Sequence, residues 1–156
     1  VAVRDGKNLE ARAHMLIAST MGATAFQKGL GAMHSLSHPC GANLNTHHGL
    51  TNADVMLYVL AWNRPAIDAK MRRLAAWLGL PKPSFDGVLD WILELRRSIG
   101  IPNTLGELGM KTEHATTFAP QACADLSTVG NPLPMDTAKF ERLYLNCIRG
   151  ELGAAA

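Results

Sequence analysis

Met135-Asp136-Thr137-Ala138-Lys139-Phe140-Glu141-Arg142-Leu143-Tyr144-Leu145-Asn146-Cys147 carries the most legible helical code in the chain. Asp136 has the short acceptor side chain that caps a helix N-terminus. Met135 and Phe140 stand at the positions of a hydrophobic staple, and Phe140, Leu143, Tyr144 and Cys147 share one face at the 3.6-residue period. The same period recurs upstream. Ser84 caps a predicted helix in which Phe85, Val88, Ile92, Leu95 and Ile99 face inward and which Gly100-Ile101-Pro102 ends. Pro65 suits the first turn of another, where Ile67, Met71, Leu74 and Leu78 form an apolar line before Gly79 and Pro81 stop it. Leu50 to Trp62 brings Val55, Tyr58, Val59 and Trp62 together. Asn8 caps a helix from Leu9 to Lys28 with the stripe Leu9, Ala13, Leu16, Ile17 and Thr20, terminated by Gly29-Leu30-Gly31.

Residues 101–111 form a glycine-rich polar linker, and Thr112 to Leu126 is a shorter helix bent at Pro120. No segment alternates with the period of a strand, and no internal repeat is present. The one low-complexity tract is Ala154-Ala155-Ala156. The expected class is all-α, a bundle of about seven helices in one domain over residues 1–156.

Composition narrows the function. The 156 residues are 47% apolar and 18% charged, enough to bury a core and too little charge for a disordered chain. Fifteen basic and thirteen acidic residues nearly balance, so the concentrated basic face of a nucleic-acid binder is not expected. The pairs Arg72-Arg73 and Arg96-Arg97 read as solvated helix faces. The longest apolar stretches, 15–26 and 53–62, fall short of the roughly 20 residues that span a bilayer, and no membrane partner is expected. Three widely spaced cysteines, Cys40, Cys123 and Cys147, make no disulfide framework and suit a reducing, cytoplasmic setting. The N-terminus lacks the layout of a secretory signal, and without an initiator Met the chain is expected to be processed or cut from a longer polypeptide.

Chemistry concentrates at one place. His34, His38, His47 and His48, four of the six histidines, lie within fifteen residues. His34 and His38, four apart, emerge on nearly the same side of a helix and can address one metal ion, or a metal and a substrate. The spacing matches the zincin H-E-x-x-H, but Ser35 replaces the glutamate base. Pro39 disfavours helix at His38 and predicts a helix end or kink there. An isolated pair of this kind is commonly coincidence; His47 and His48 ten residues on strengthen the metal reading. His14 and His114 read as surface or packing histidines.

The run Gly29-Leu30-Gly31-Ala32-Met33-His34-Ser35-Leu36-Ser37-His38-Pro39-Cys40-Gly41-Ala42, followed by Thr46-His47-His48-Gly49-Leu50-Thr51-Asn52-Ala53, resembles the signature of iron-containing (group III) alcohol dehydrogenases. That signature reads G-x-x-H-x-x-x-H-P-x-G, then P-H-G or H-H-G and N-A. The likeness extends through Glu10-Ala11-Arg12, Ala25-Phe26, Asn63-Arg64-Pro65 and Gly130-Asn131-Pro132, and covers essentially the whole chain. It implies the all-helical metal-binding domain that follows an α/β nucleotide-binding domain in that family, the latter absent from this chain.

By the same resemblance, His34 and His48 fall on metal-ligand positions. His38 falls beside the metal, near the nicotinamide and the substrate, as a candidate catalytic and cofactor-contacting residue. Phe26 falls close to the wall of the substrate pocket, and His47 stands where many members have proline. The resemblance implies a divalent metal, Fe(II) or else Zn(II), and NAD or NADP held mainly by the missing domain. It also implies a small alcohol or aldehyde substrate, a homodimer, and two further metal ligands, an aspartate and a histidine, outside this chain. The isolated chain is therefore expected to bind metal weakly and to be inactive. Two other readings stay open: a stand-alone three-histidine metal module of His34, His38 and His48, and a helical interaction scaffold with an exposed apolar patch.

Overall fold

A computed structural model of the chain describes residues 1–153; the alanine tract Ala154-Ala155-Ala156 lies outside the described residues. The chain divides into two compact units, Val1–Leu30 and Gly31–Ala156. Among the described residues the secondary structure is helical throughout, with seven α-helices. None is long and apolar enough to cross a membrane.

The first unit is helix α1, Leu9–Ala25, followed by a 3-10 turn, Phe26–Lys28. Asn8 caps α1 as expected, its Oδ1 accepting the Ala11 N–H at 2.9 Å. The chain leaves at Gly29 with φ +92°, a conformation open to glycine and costly for other residues. No residue of α1 is buried. The predicted inward stripe, with Leu9, Leu16 and Ile17, is therefore solvent-exposed, because this unit holds no second α-helix for it to pack upon.

In the second unit the remaining helices are α2 (Ala32–Leu44), α3 (His48–Trp62), α4 (Arg64–Trp77), α5 (Phe85–Ile99), α6 (Thr112–Ala124) and α7 (Thr137–Arg149). A 3-10 turn, Leu126–Gly130, joins α6 to the segment before α7. Helix α3 is apolar nearly all round, the composition of a helix buried on several sides. Val55, Tyr58, Val59 and Trp62 enter a core shared with α2, α6 and α7, while Leu57 enters a second core with α4 and α5. On α7, Asp136 Oδ1 accepts the Lys139 N–H at 2.8 Å, and Phe140, Leu143, Tyr144 and Cys147 are fully buried, as the sequence predicts. The Tyr144 hydroxyl donates to the Leu36 carbonyl at 2.8 Å and ties α7 to α2. All three cysteines are free thiols.

Three local expectations are corrected. Helix α2 does not end at His38; it continues through Pro39 to Leu44. Leu36, Pro39 and Cys40 are buried, and their packing outweighs the local cost of proline inside a helix. On α4 the buried line runs through Met71 and Ala75, leaving Leu74 and Leu78 exposed. On α5, Leu95 and Ile99 are 44% and 63% exposed, and Arg96, read from sequence as solvated, is 2% exposed. Its Nη1 donates to the Asp54 carbonyl at 3.1 Å and its Nη2 to the Pro102 carbonyl, acceptors that an apolar side chain cannot serve.

The start of α2 is fixed by one side chain. Asn131 Oδ1 accepts from the Ala32 N–H at 3.2 Å and from Asn63 Nδ2 at 2.9 Å; its Nδ2 donates to Asn63 Oδ1 and to the Leu133 carbonyl. A Cβ on Gly31 would come within 3.3 Å of Asn131, so glycine here gives the space for that approach. Leaving a buried polar group unpaired costs roughly 1–3 kcal/mol, and Asn63 is buried. Asn131→Ala is expected to destabilise the chain by about 3 kcal/mol, read as a lower urea midpoint with unchanged slope. A loss under about 0.5 kcal/mol would show that the bridge is not needed.

Candidate metal centre

Helix α2 carries His34 and His38 one turn apart, and His48 opens α3 after the short link Asn45–His47. That link reverses the chain tightly. Asn45 adopts φ 54° and caps α2, its N–H bonded to the Gly41 carbonyl. The His47 side chain caps α3, Nδ1 accepting the Leu50 N–H at 3.3 Å. His47 thus has a structural use of its own.

The turn brings three imidazoles together. Ring centroids lie 5.8 Å apart for His34 and His38, 5.3 Å for His34 and His48, and 5.5 Å for His38 and His48. The last two rings are stacked, 14° between planes. Burial, then the neighbouring His48 and His38, holds the His34 imidazole below its ordinary pKa and favours its neutral form. Two imidazoles bound to one tetrahedral ion at about 2.1 Å have ring centroids roughly 5 Å apart. The spacing of His34 and His48 suits that arrangement, and neutral imidazole is a donor that Fe(II) and Zn(II) both accept. Among the described residues, no group of three or more His, Cys, Asp or Glu side chains is disposed to hold an ion by itself.

The rings of His48 and His38 have partners that the sequence reading did not single out. His48 Nε2 lies 3.0 Å from Asn52 Nδ2, which donates to it; Nδ1 then donates to the buried Ser37 Oγ at 3.3 Å. His38 Nδ1 lies 2.7 Å from Asp125 Oδ2. Partial burial raises the Asp125 pKa, but hydrogen bonds from His38 and Ser127 outweigh it and hold the carboxyl below its ordinary value. Asp125 stands 87 residues from His38, at the end of α6, and no spacing rule could have paired them. A signal was present only in the neighbourhood of Gly130-Asn131-Pro132, among the segments that carry the family likeness.

Of the remaining residues read from sequence, Phe26 belongs to the first unit, where it opens the 3-10 turn with 56% of its surface exposed. His14 is exposed, and His114 stacks on Phe118 at 5.4 Å, as a packing histidine should.

The chain is similar to known proteins over most of its length. Residues 1–148 match the model of the Fe-containing alcohol dehydrogenase family, C-terminal. The 4-hydroxybutyrate dehydrogenase of Cupriavidus necator is 35% identical over 153 residues, covering 91% of this chain and 39% of the relative. The probable alcohol dehydrogenase EutG of Escherichia coli (strain K12) is 32% identical over 144 residues, covering 92% and 36%. The crystal structure of a 1,3-propanediol oxidoreductase superposes with a TM-score of 0.87 at 27% identity, over 94% of this chain and 40% of that one. The chain therefore spans about two fifths of the length of the proteins it matches.

Proposed function

Because the chain belongs to the iron-containing alcohol dehydrogenase family, we propose that it is the metal-binding helical part of an enzyme interconverting an alcohol and its carbonyl compound with a nicotinamide dinucleotide. The observation that carries this reading is the facing pair His34 and His48, 5.3 Å apart on consecutive helices, with His38 beside both. NAD or NADP is assigned to a nucleotide-binding domain outside these 156 residues, since the sequence holds no glycine-rich phosphate loop of its own. A divalent cation, Fe(II) or Zn(II), polarises the substrate oxygen when bound and lowers the pKa of the alcohol.

The roles of the chain's own residues follow. His34 and His48 each offer one imidazole nitrogen to the cation; for His48 that is Nε2, which gives up the Asn52 N–H in exchange, while Ser37 orients the ring from Nδ1. The two histidines leave coordination positions open, which we assign to donors from outside this chain. In the oxidation direction His38 Nε2 takes the hydroxyl proton as the O–H bond breaks; the dinucleotide would supply the acceptor for the hydride on carbon. Alcohol and oxidised dinucleotide become carbonyl, reduced dinucleotide and one proton.

The test is an anaerobic titration of the purified chain with Fe(II) and Zn(II). Weak binding that His34→Ala abolishes is expected, with no alcohol turnover until a nucleotide-binding half is supplied. Tight one-to-one binding by the chain alone would make it a self-sufficient metal module instead. An interaction scaffold draws support from a different observation, the exposed Met15, Leu16, Ile17 and Met21 of α1. That reading requires partner binding to survive His34→Ala unchanged.

A further inference from the structure

We infer that Asp125 is the positioning residue of His38: it fixes the imidazole as the Nδ1–H tautomer and so leaves Nε2 as the nitrogen that accepts a proton. The inference about the tautomer rests on geometry, and its consequence for turnover rests on the dehydrogenase reading above. An ionised carboxylate only accepts hydrogen bonds. At 2.7 Å from Asp125 Oδ2, His38 Nδ1 therefore carries the hydrogen, in the short contact typical of a charge-assisted bond. When the ring is neutral, Nε2 then holds the lone pair.

The carboxylate is itself held. Its Oδ1 accepts the Ser127 N–H at 2.7 Å, capping the turn Leu126–Gly130. That turn is fastened to α2, the helix that carries His38. Thr128 Oγ1 lies 2.8 Å from Ser35 Oγ and donates to the Ala122 carbonyl, while Asn131 accepts the Ala32 N–H. His38 is further restrained by stacking on His48. Imidazole and carboxylate thus belong to one braced assembly, although 87 residues separate them. When Nε2 takes a proton, the imidazolium forms beside a carboxylate already in place, so no group has to move to balance the charge.

The test uses nitrogen NMR of the histidine-labelled chain at alkaline pH, with the His38 signals assigned by their absence in His38→Gln. Wild type is expected to show a single His38 tautomer protonated at Nδ1. In Asp125→Asn the amide oxygen keeps the Ser127 cap and the amide N–H faces His38, so the tautomer should invert to Nε2–H. Asp125→Ser keeps a capping oxygen and withdraws the partner, and should give a tautomer mixture. The same tautomer in all three, with backbone amide signals elsewhere unchanged, overturns the inference.

In the whole dehydrogenase, the chain supplied with its nucleotide-binding half, Asp125→Asn should lower kcat about 10²-fold with KM within about twofold. An inverted tautomer with unchanged kcat removes Asp125 from the reaction. Absence of turnover in wild type counts against the dehydrogenase reading instead, and leaves the tautomer result standing.

Discussion

In a polypeptide that joins this chain to a nucleotide-binding half, His34→Ala is expected to reduce metal-dependent alcohol oxidation about 10³-fold. The size follows from the role proposed. Polarisation of a substrate oxygen by a bound cation contributes several kcal/mol to the transition state, and about 1.4 kcal/mol is tenfold in rate. His48→Ala should lose as much, because its ring is the other member of the 5.3 Å pair. The adjacent His47 supplies the contrast. Its imidazole caps α3 through the Leu50 N–H, so His47→Ala should cost about 1 kcal/mol of stability and leave turnover within about twofold. Steady-state rates after metal removal and controlled reloading distinguish the three. Retention of more than about half the turnover in His34→Ala under those conditions would sink the assignment of His34.

The second large effect is on stability, and its size depends on pH. Asp54 is fully buried on α3, and neither carboxylate oxygen has a hydrogen-bond partner. Its pKa is raised to about 7, chiefly by burial, with the Arg96 guanidinium pulling it down and Glu107 adding to the rise. In the unfolded chain the ordinary value is 3.8. Below that value both states are protonated and Asp54 contributes nothing. From there to about 7 the unfolded chain ionises while the folded one keeps its proton, so stability falls as pH rises. Above about 7 the penalty is constant.

Asp54→Asn should therefore match wild type near pH 4 and exceed it by roughly 4 kcal/mol at pH 8, at about 1.4 kcal/mol per pKa unit. Urea unfolding of both proteins across that range gives the answer, and parallel curves would show that Asp54 does not titrate within the fold. Arg96→Met acts in the opposite sense, since it strips the carbonyls of Asp54 and Pro102 of their donor.

The helices were legible where local chemistry decides them. Asp136 and Asn8 are capping residues by type, and both cap in the structure. The α7 face was legible because four apolar residues at helical spacing meet one core. Periodicity failed at the C-terminal end of α5, where the inward position needs a long donor for two carbonyl groups and Arg96 fills it. Counting apolar residues cannot detect a carbonyl on another segment. The Pro39 rule failed for a related reason: it describes an isolated helix, and α2 is buried along the side that holds Leu36 and Cys40. At the candidate site, the histidines were legible because they are close in sequence, and Ser37 and Asn52 lie within the same run. Asp125 was not, because its relation to His38 exists only after α6 has packed on α2.

The bracing of Asp125 against α2 also sets an order of events during synthesis. His34 and His48 have both been made by residue 48, within one short hairpin of helices. The carboxylate that completes His38 arrives 87 residues after it. At translation rates of about 5–20 residues per second, the gap between residues 48 and 125 lasts roughly 4–15 s. A growing chain thus contains the two histidines proposed to hold the cation well before Asp125, proposed to set the His38 tautomer, has been polymerised. The two halves of the centre have separate birth times.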